Sequence, residues 1–251
     1  MTEIKKTLAI LKARWPEVAF IIGTYLLAIL PGKLLLKSGI KSIPTIYLTI
    51  ILVFLLFLLI GTFLCLGFLR TVYLEGQRRQ RLLILLRTGK HFFWRMFALC
   101  WIYALPFTLS IIVLSKLIPS HVIPWFYTLY STLVNLILIK LMILIPALII
   151  VLDCGVFDSF KFLRSYKLSN AKELVLLYCG NVAIGSFWSI LSRYYCGTSC
   201  STTHCSITTS QQYILTTLFS IVSHFIGLMI AVMAVRFVSS HDSTYNDYRA
   251  P

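Results

Sequence analysis

An all-α fold is what this sequence predicts: a polytopic membrane bundle of six transmembrane helices with two short interfacial segments on the cytoplasmic side. Three observations predict it. The 251 residues are 59% hydrophobic and only 12% charged, with a mean hydropathy of +0.88, more apolar surface than a soluble domain of this length can bury. Six stretches match or exceed the roughly 20 helical residues that cross a hydrocarbon core of about 30 Å: 15–36, 45–69, 93–118, 122–152, 173–192 and 211–238, with a tail over 239–251. The basic residues divide unevenly among the connecting segments, as the positive-inside rule requires of a multi-pass chain. Continuous apolar runs, rather than alternating segments of about ten residues, argue against a β-barrel. The whole chain reads as a single integral membrane domain.

The first span, 15–36, has a longer apolar region than the 7–15 residues of a cleavable signal peptide, and no small-x-small site follows it. It reads as a retained anchor. Between the second and third spans, Leu82, Leu83, Leu85 and Leu86 cluster at helical spacing while Arg78, Arg79, Arg81 and Arg87 can reach headgroups. That pattern suits a short helix lying in the interface, bounded by Gly76 and Gly89; a solvated loop carrying topogenic charge is the alternative. The fourth span, 122–152, contains Lys140 and Pro146. As an unbroken helix it would run about 46 Å at 1.5 Å per residue, so it must tilt, protrude or break near Pro146, which lacks an N–H and crowds the preceding turn. Asn135, Asn181 or freed carbonyls are then neighbours for Lys140, which either edges an inward-opening polar cavity or snorkels. Directly after this span, Lys161, Arg164 and Lys167 recur every three residues and gather on one face of a helix. A lipid-facing basic helix and a structural elbow are the two readings of that segment. Asp158 can pair locally with Lys161.

Lys140 is the one Lys or Arg that lies more than five residues inside either end of an apolar span, at a depth where a charge costs roughly 2.5–3.5 kcal/mol on insertion scales. With the N-terminus inside, 17 Lys or Arg fall in inner segments: 4 before Trp15, 7 from Arg70 to Arg95, 4 from Lys161 to Lys172, and 2 from Arg236 onward. Five fall outside, namely Lys33, Lys37, Lys41, Lys116 and Arg193. Topology therefore accounts for the formal charge of +15, with both termini cytoplasmic, and no nucleic-acid partner is expected. The inner charges point instead to membrane lipids, anionic on the cytoplasmic side, each nearby Lys or Arg adding roughly 1 kcal/mol.

Of seven cysteines, Cys65, Cys100, Cys154 and Cys179 read as small buried hydrophobes. Cys196, Cys200 and Cys205 cluster in the outer loop, where an oxidising compartment favours one disulfide with one thiol left over. Unpaired thiols, or a metal held by Cys196, Cys200, His204 and Cys205, are the alternatives; the spacing departs from the usual Cys-x-x-Cys framework. No metal site or cofactor is therefore expected.

Gly76-Gln77-Arg78, and the stretch from Pro146 through Asp153, Gly155, Arg164 and Ser165 to Leu168, resemble the corresponding segments of the YciC family of six-span bacterial inner-membrane proteins. More distantly they resemble the membrane domain attached to some glycerophosphodiester phosphodiesterases. That wider group tends to have a basic residue before a proline, then an acid, a glycine and a basic-Ser step, the places held here by Lys140, Pro146, Asp153, Gly155, Arg164 and Ser165. The resemblance implies a bacterial inner-membrane location and a structural role for Gly76, Pro146, Asp153, Gly155 and Ser165. It implies no activity, and the Cys-rich loop departs from it.

All eight acids (Glu3, Glu17, Glu75, Asp153, Asp158, Glu173, Asp242 and Asp247) fall in inner segments or at inner helix ends. Proton-coupled carriers place carboxylates within the span, so their pattern is missing. No P-loop, GxSxG or HExxH motif occurs, and the histidines are dispersed, with only His224 inside a span. No enzyme is expected. The leading expectation is a protein that binds or helps move an anionic lipid or other amphiphile, contacted by Lys140, Arg78, Arg79, Arg81, Lys161, Arg164 and Lys167. The alternatives are an envelope assembly scaffold and a small-solute transporter.

Overall fold

The computed structural model describes residues 2–38, 44–116, 123–197 and 209–247, with the side chains of 2–28, 51–114, 116, 126–191 and 215–241. In chain order the helices are α1 (Glu3–Ala13), α2 (Trp15–Ser38), α3 (Pro44–Glu75), α4 (Leu82–Ser115), α5 (Ile123–Ile137), α6 (Ile139–Leu152), α7 (Val156–Phe162), α8 (Lys172–Gly197) and α9 (Thr209–Asp247). Among the described residues there is no strand, and the fold is all-α. Among the described residues four helical stretches are long and apolar enough to cross a membrane: Ile51–Glu75, Leu82–Leu114, Lys172–Leu191 and Leu215–His241. A fifth candidate is the pair α5 and α6, bent by 59°. Helix α2 has 24 residues, of which Trp15–Ala28 forms a shorter apolar helix among the described side chains. Large apolar side chains such as Leu83, Leu129 and Leu176 are more than two-thirds exposed on these helices, the outward surface that lipid would cover.

The chain forms two compact units. The first comprises Met1–Trp94 and Thr217–Arg236. It opens with α1, an element absent from the expectations above although its pattern was present: Thr7, Ile10 and Leu11 are buried at helical spacing. Thr2 caps it by accepting from the Lys5 N–H at 3.4 Å, and Glu3 and Lys12 sit at the ends that the helix dipole favours. Glu3 also pairs with Lys6 at 2.7 Å and with Arg236 on α9 at 3.2 Å. The chain bends at Arg14, and Pro16 falls in the first turn of α2, where its missing N–H leaves no helix bond unmade.

Arg14 is fully buried at that bend and Glu17 is 4% exposed. The guanidinium donates from Nε to Glu17 Oε2 at 2.7 Å and from Nη2 to Thr71 Oγ1 at 2.8 Å, and it lies 4.5 Å above the Phe68 ring. The other Glu17 oxygen accepts from the Gln80 backbone N–H at 2.7 Å, and Arg79 Nε donates to the Ala13 carbonyl at 2.8 Å. Helices α1, α2 and α3 and the 76–81 turn therefore meet at one buried ion pair.

That turn replaces the expected interfacial helix. Helix α3 runs on to Glu75, Gly76 takes a left-handed φ of 61°, and α4 begins at Leu82, so Leu82, Leu83, Leu85 and Leu86 form its opening turns and Gly89 lies inside it. Gly89 and Gly67 act as contact points: a Cβ at Gly89 would fall 1.8 Å from the Phe63 carbonyl oxygen, and one at Gly67 1.9 Å from that of Leu85. The two backbones touch where only glycine fits.

The second unit comprises Arg95–Thr216 and Phe237–Pro251. Of the tilt, protrusion or break near Pro146 left open for the fourth span, the structure shows a bend, but at Leu138 between α5 and α6, and Pro146 is carried within α6. The cause lies in the turns before the bend. Ser131 and Thr132 donate to the Thr128 carbonyl at 3.0 and 2.7 Å, and Asn135 donates to the Ser131 carbonyl at 2.8 Å. Side chains competing for helix carbonyls bend helices. Helix α6 is buried from Ile143 to Val151 apart from Pro146, as a stretch that is apolar all round should be.

After α6 the expected continuous basic helix is also broken. Helix α7 ends at Phe162, and two 3-10 turns follow, Leu163–Ser165 and Leu168–Asn170. Three residues per turn suits the observed periodicity better than an α-helix does: Leu163 and Tyr166 are buried while Lys161, Arg164 and Lys167 are exposed.

The ion pair at the Arg14 bend yields a stability prediction. Arg14→Met is expected to destabilise the protein by about 3–5 kcal/mol, because it strands the buried Glu17 carboxylate. Arg14→Met with Glu17→Met should recover most of that loss. Denaturant unfolding in detergent, followed by circular dichroism, checks both, and equal stability of single and double variants would contradict the account.

Candidate functional site

Helices α5 and α8 meet along hydroxyls and amides rather than an apolar seam. Thr132 Oγ1 and Ser186 Oγ lie 2.5 Å apart, Thr128 Oγ1 and Ser189 Oγ 3.4 Å apart, and the Tyr178 hydroxyl donates to Asn135 Oδ1 at 3.5 Å. Small hydroxylated residues allow close helix approach and supply cross-helix hydrogen bonds in an apolar medium. One end of the seam carries stacked rings: Tyr130 lies 5.5 Å from Phe107 and 5.8 Å from Phe126, and its hydroxyl is 2.7 Å from Ser110 Oγ.

At the bend the seam leads by sequence from Asn135 to Lys140, in the first turn of α6. Leu138 offers this helix no side-chain cap, so the turn combines Lys140 with the positive end of the α6 dipole. Lys140 is half-buried and, among the described residues, pairs with no carboxylate. One residue on, the Leu141 carbonyl accepts from the Tyr103 hydroxyl at 3.3 Å, beside Met142, whose helical donor Pro146 lacks. Bend, seam and a lysine without a carboxylate partner among the described residues thus follow one another along α5 and α6.

The other residues singled out from sequence do not join it. Lys140 lies 12 residues, or about 18 Å along α6, from Leu152, so no one headgroup spans from it to Lys161, Arg164 or Lys167. Lys161 pairs with Asp158 at 2.9 Å, as its spacing suggested, and Arg164, Ser165 and Lys167 are exposed. In the first unit Arg78 and Arg81 are exposed, while Arg79 is held by the Ala13 carbonyl. Cys200, His204 and Cys205 lie outside the described residues, as does the Cys196 side chain. Among the described residues no three or more His, Cys, Asp or Glu side chains gather as a metal site would require.

Asp153 does hold a structural place. It closes α6 with a left-handed φ of 51°, a conformation that Asp tolerates better than most residues. Its Oδ1 accepts from Arg95 Nη1, and that same nitrogen lies 3.5 Å from the Cys154 carbonyl. Gly155 then opens α7. In the sequence Arg95 and Arg14 stand out only as topogenic charges. Neither the Arg95–Asp153 pairing, 58 residues apart, nor Arg14 with Thr71, 57 apart, leaves a local signal. Glu17, three residues from Arg14 across a helix break, was the one clue available.

Burial pushes the Cys154 thiol up, with the Asp158 and Asp153 carboxylates adding to the rise and Arg95 partly offsetting it. The thiol also donates to the Leu148 carbonyl at 3.7 Å. The thiolate is the reactive form, so a variant retaining only Cys154 should react with maleimide more slowly than a free thiol at pH 7.5. Its rate should keep rising beyond the pH at which free cysteine levels off. A pH-rate curve like that of free cysteine would refute this.

The chain matches no family model, no curated protein and no solved structure.

Proposed function

We propose that this chain is a six-span inner-membrane protein of bacteria that binds, or helps move, an anionic lipid or similar amphiphile, with Lys140 meeting the charged headgroup. The observation that carries the reading is a half-buried lysine at a helix bend, deep in an apolar pair of helices, without a carboxylate partner among the described residues. A cation in such a medium is stabilised by an anion brought to it, and the start of α6 adds its own positive potential. The α5–α8 hydroxyl seam supplies polar surface that a headgroup can exchange for water. This role needs no covalent chemistry.

Six spans are reached when α2, at 24 residues, and the bent α5–α6 pair each cross once. The charge distribution then favours cytoplasmic termini, and the resemblance of the 76–78 and 146–168 stretches to YciC proteins supports a bacterial inner membrane. The exposed Arg78, Arg81, Arg164 and Lys167 would attract anionic lipid at the surface, a contribution that salt screens.

Two experiments test this. Protein extracted in native-lipid discs should co-purify with one enriched anionic lipid or metabolite, and Lys140→Met should lose it; identical lipid profiles for the two proteins would refute the site. A reporter fused after Pro251 should signal from the cytoplasm, and an external signal would overturn the six-span arrangement.

A further inference from the structure

A second site lies wholly within the first unit. Helices α2, α3 and α9 line a partly open cavity of about 360 Å³, bordered by Ile21, Ile22, Tyr25, Cys65, Ser223, His224, Gly227, Leu228 and Ala231. That is the low end of the range for small-molecule sites, roughly 300–1,000 Å³, and its balance of apolar wall with a few polar groups is typical of them. No Lys, Arg, Asp or Glu lines it. His224 lies 12 residues from Arg236, about 18 Å along α9, and Cys65 five residues, about 8 Å, from Arg70. The cavity therefore sits at a depth where a charged occupant would be costly.

The polar groups here fix one vacancy in the hydrogen bonding. His224 Nδ1 is 2.7 Å from the Ser220 carbonyl, which only accepts, so Nδ1 carries the ring proton. Nε2 of the neutral ring is then an acceptor, and among the described residues no donor reaches it. Tyr25 packs against the imidazole with ring centroids 5.1 Å apart, and its hydroxyl is engaged with Thr62. We propose that this cavity binds a neutral, hydroxyl-headed lipid whose O–H donates to His224 Nε2 while its chain lies along Ile21, Ile22 and Leu228. The site shares no residue with the Lys140 bend, and its ligand class, uncharged and donating, is the opposite of the anion suited to that lysine.

The test uses the full chain in phosphatidylcholine nanodiscs with two photoreactive probes of equal length, a diazirine hexadecanol and the matching diazirine fatty acid. The alcohol should label α2, α3 or α9 beside the cavity, and the acid should not. A Cβ at Gly227 meets nothing within 4 Å, so Gly227→Leu fills the space without a backbone clash and should abolish labelling. His224→Leu should reduce labelling about tenfold, the loss of one hydrogen bond in an apolar site, while His224→Gln, which keeps an acceptor, should retain it. Equal labelling by the acid, persistence in Gly227→Leu or His224→Leu, or loss in His224→Gln would each overturn the assignment.

Discussion

A polar group surrounded by hydrocarbon has no water to fall back on, and the architecture of this chain follows from how such groups find partners; among the described buried side-chain atoms, Thr7 Oγ1 and Arg14 Nη1 are the exceptions. The commonest partner is a helix carbonyl one turn back: Thr24 uses that of Ile21, Thr62 that of Leu58, Ser110 that of Phe107, Ser186 that of Val182, and His224 that of Ser220. Taken singly these bonds leave a helix intact. Clustered over Ser131, Thr132 and Asn135, they draw twice on the Thr128 carbonyl and once on that of Ser131, and the helix turns at Leu138. The bend is thus a by-product of local hydrogen-bond satisfaction, and it sets where Lys140 lies.

Two cations illustrate what satisfaction decides. Arg14 is fully buried, yet Glu17, Thr71 and the Phe68 ring surround it, and the Gln80 N–H completes its carboxylate partner. A planar guanidinium with several donors suits such a junction. Removing one member exposes the desolvation penalty of the others, which makes the group structural. Lys140 is less buried and, among the described residues, has no such set. Its compact ammonium on a flexible stem can turn toward an arriving anion without dismantling a network. The contrast in partners, rather than in depth, separates the cation that holds the fold from the cation proposed to hold a ligand.

The same reasoning explains how much was legible in the sequence. Long apolar runs mark the helices because lipid imposes a length and a composition, so the all-α class and most of the long helices follow directly. Breaks were harder. Pro146 carries the familiar signature of a kink, yet α6 accommodates it, with Tyr103 bonding the neighbouring Leu141 carbonyl. The Ser131-Thr132-Asn135 cluster bends the helix without a proline or glycine. The run between spans two and three misled in another way: leucines and arginines at helical spacing fit an interfacial helix and the first turns of α4 equally well. Only the contact of Gly89 with the Phe63 carbonyl, a tertiary fact, distinguishes them. Arg14 and Arg95 were hidden because their distant partners are brought near by folding.

Distance along α6 also separates two uses of positive charge. Lys161, Arg164 and Lys167 emerge from a segment with three-residue periodicity, and their exposure leaves them open to salt and to any anion. Lys140, about 18 Å up the helix, is on the proposed reading reached only by something that enters the apolar region. On the proposed reading the surface residues raise the local concentration of anionic headgroups without choosing among them. Selection falls to the bend, where a headgroup must exchange its water for one ammonium and a few hydroxyls. A ligand that could not make that exchange would remain at the surface however strongly the basic residues attracted it.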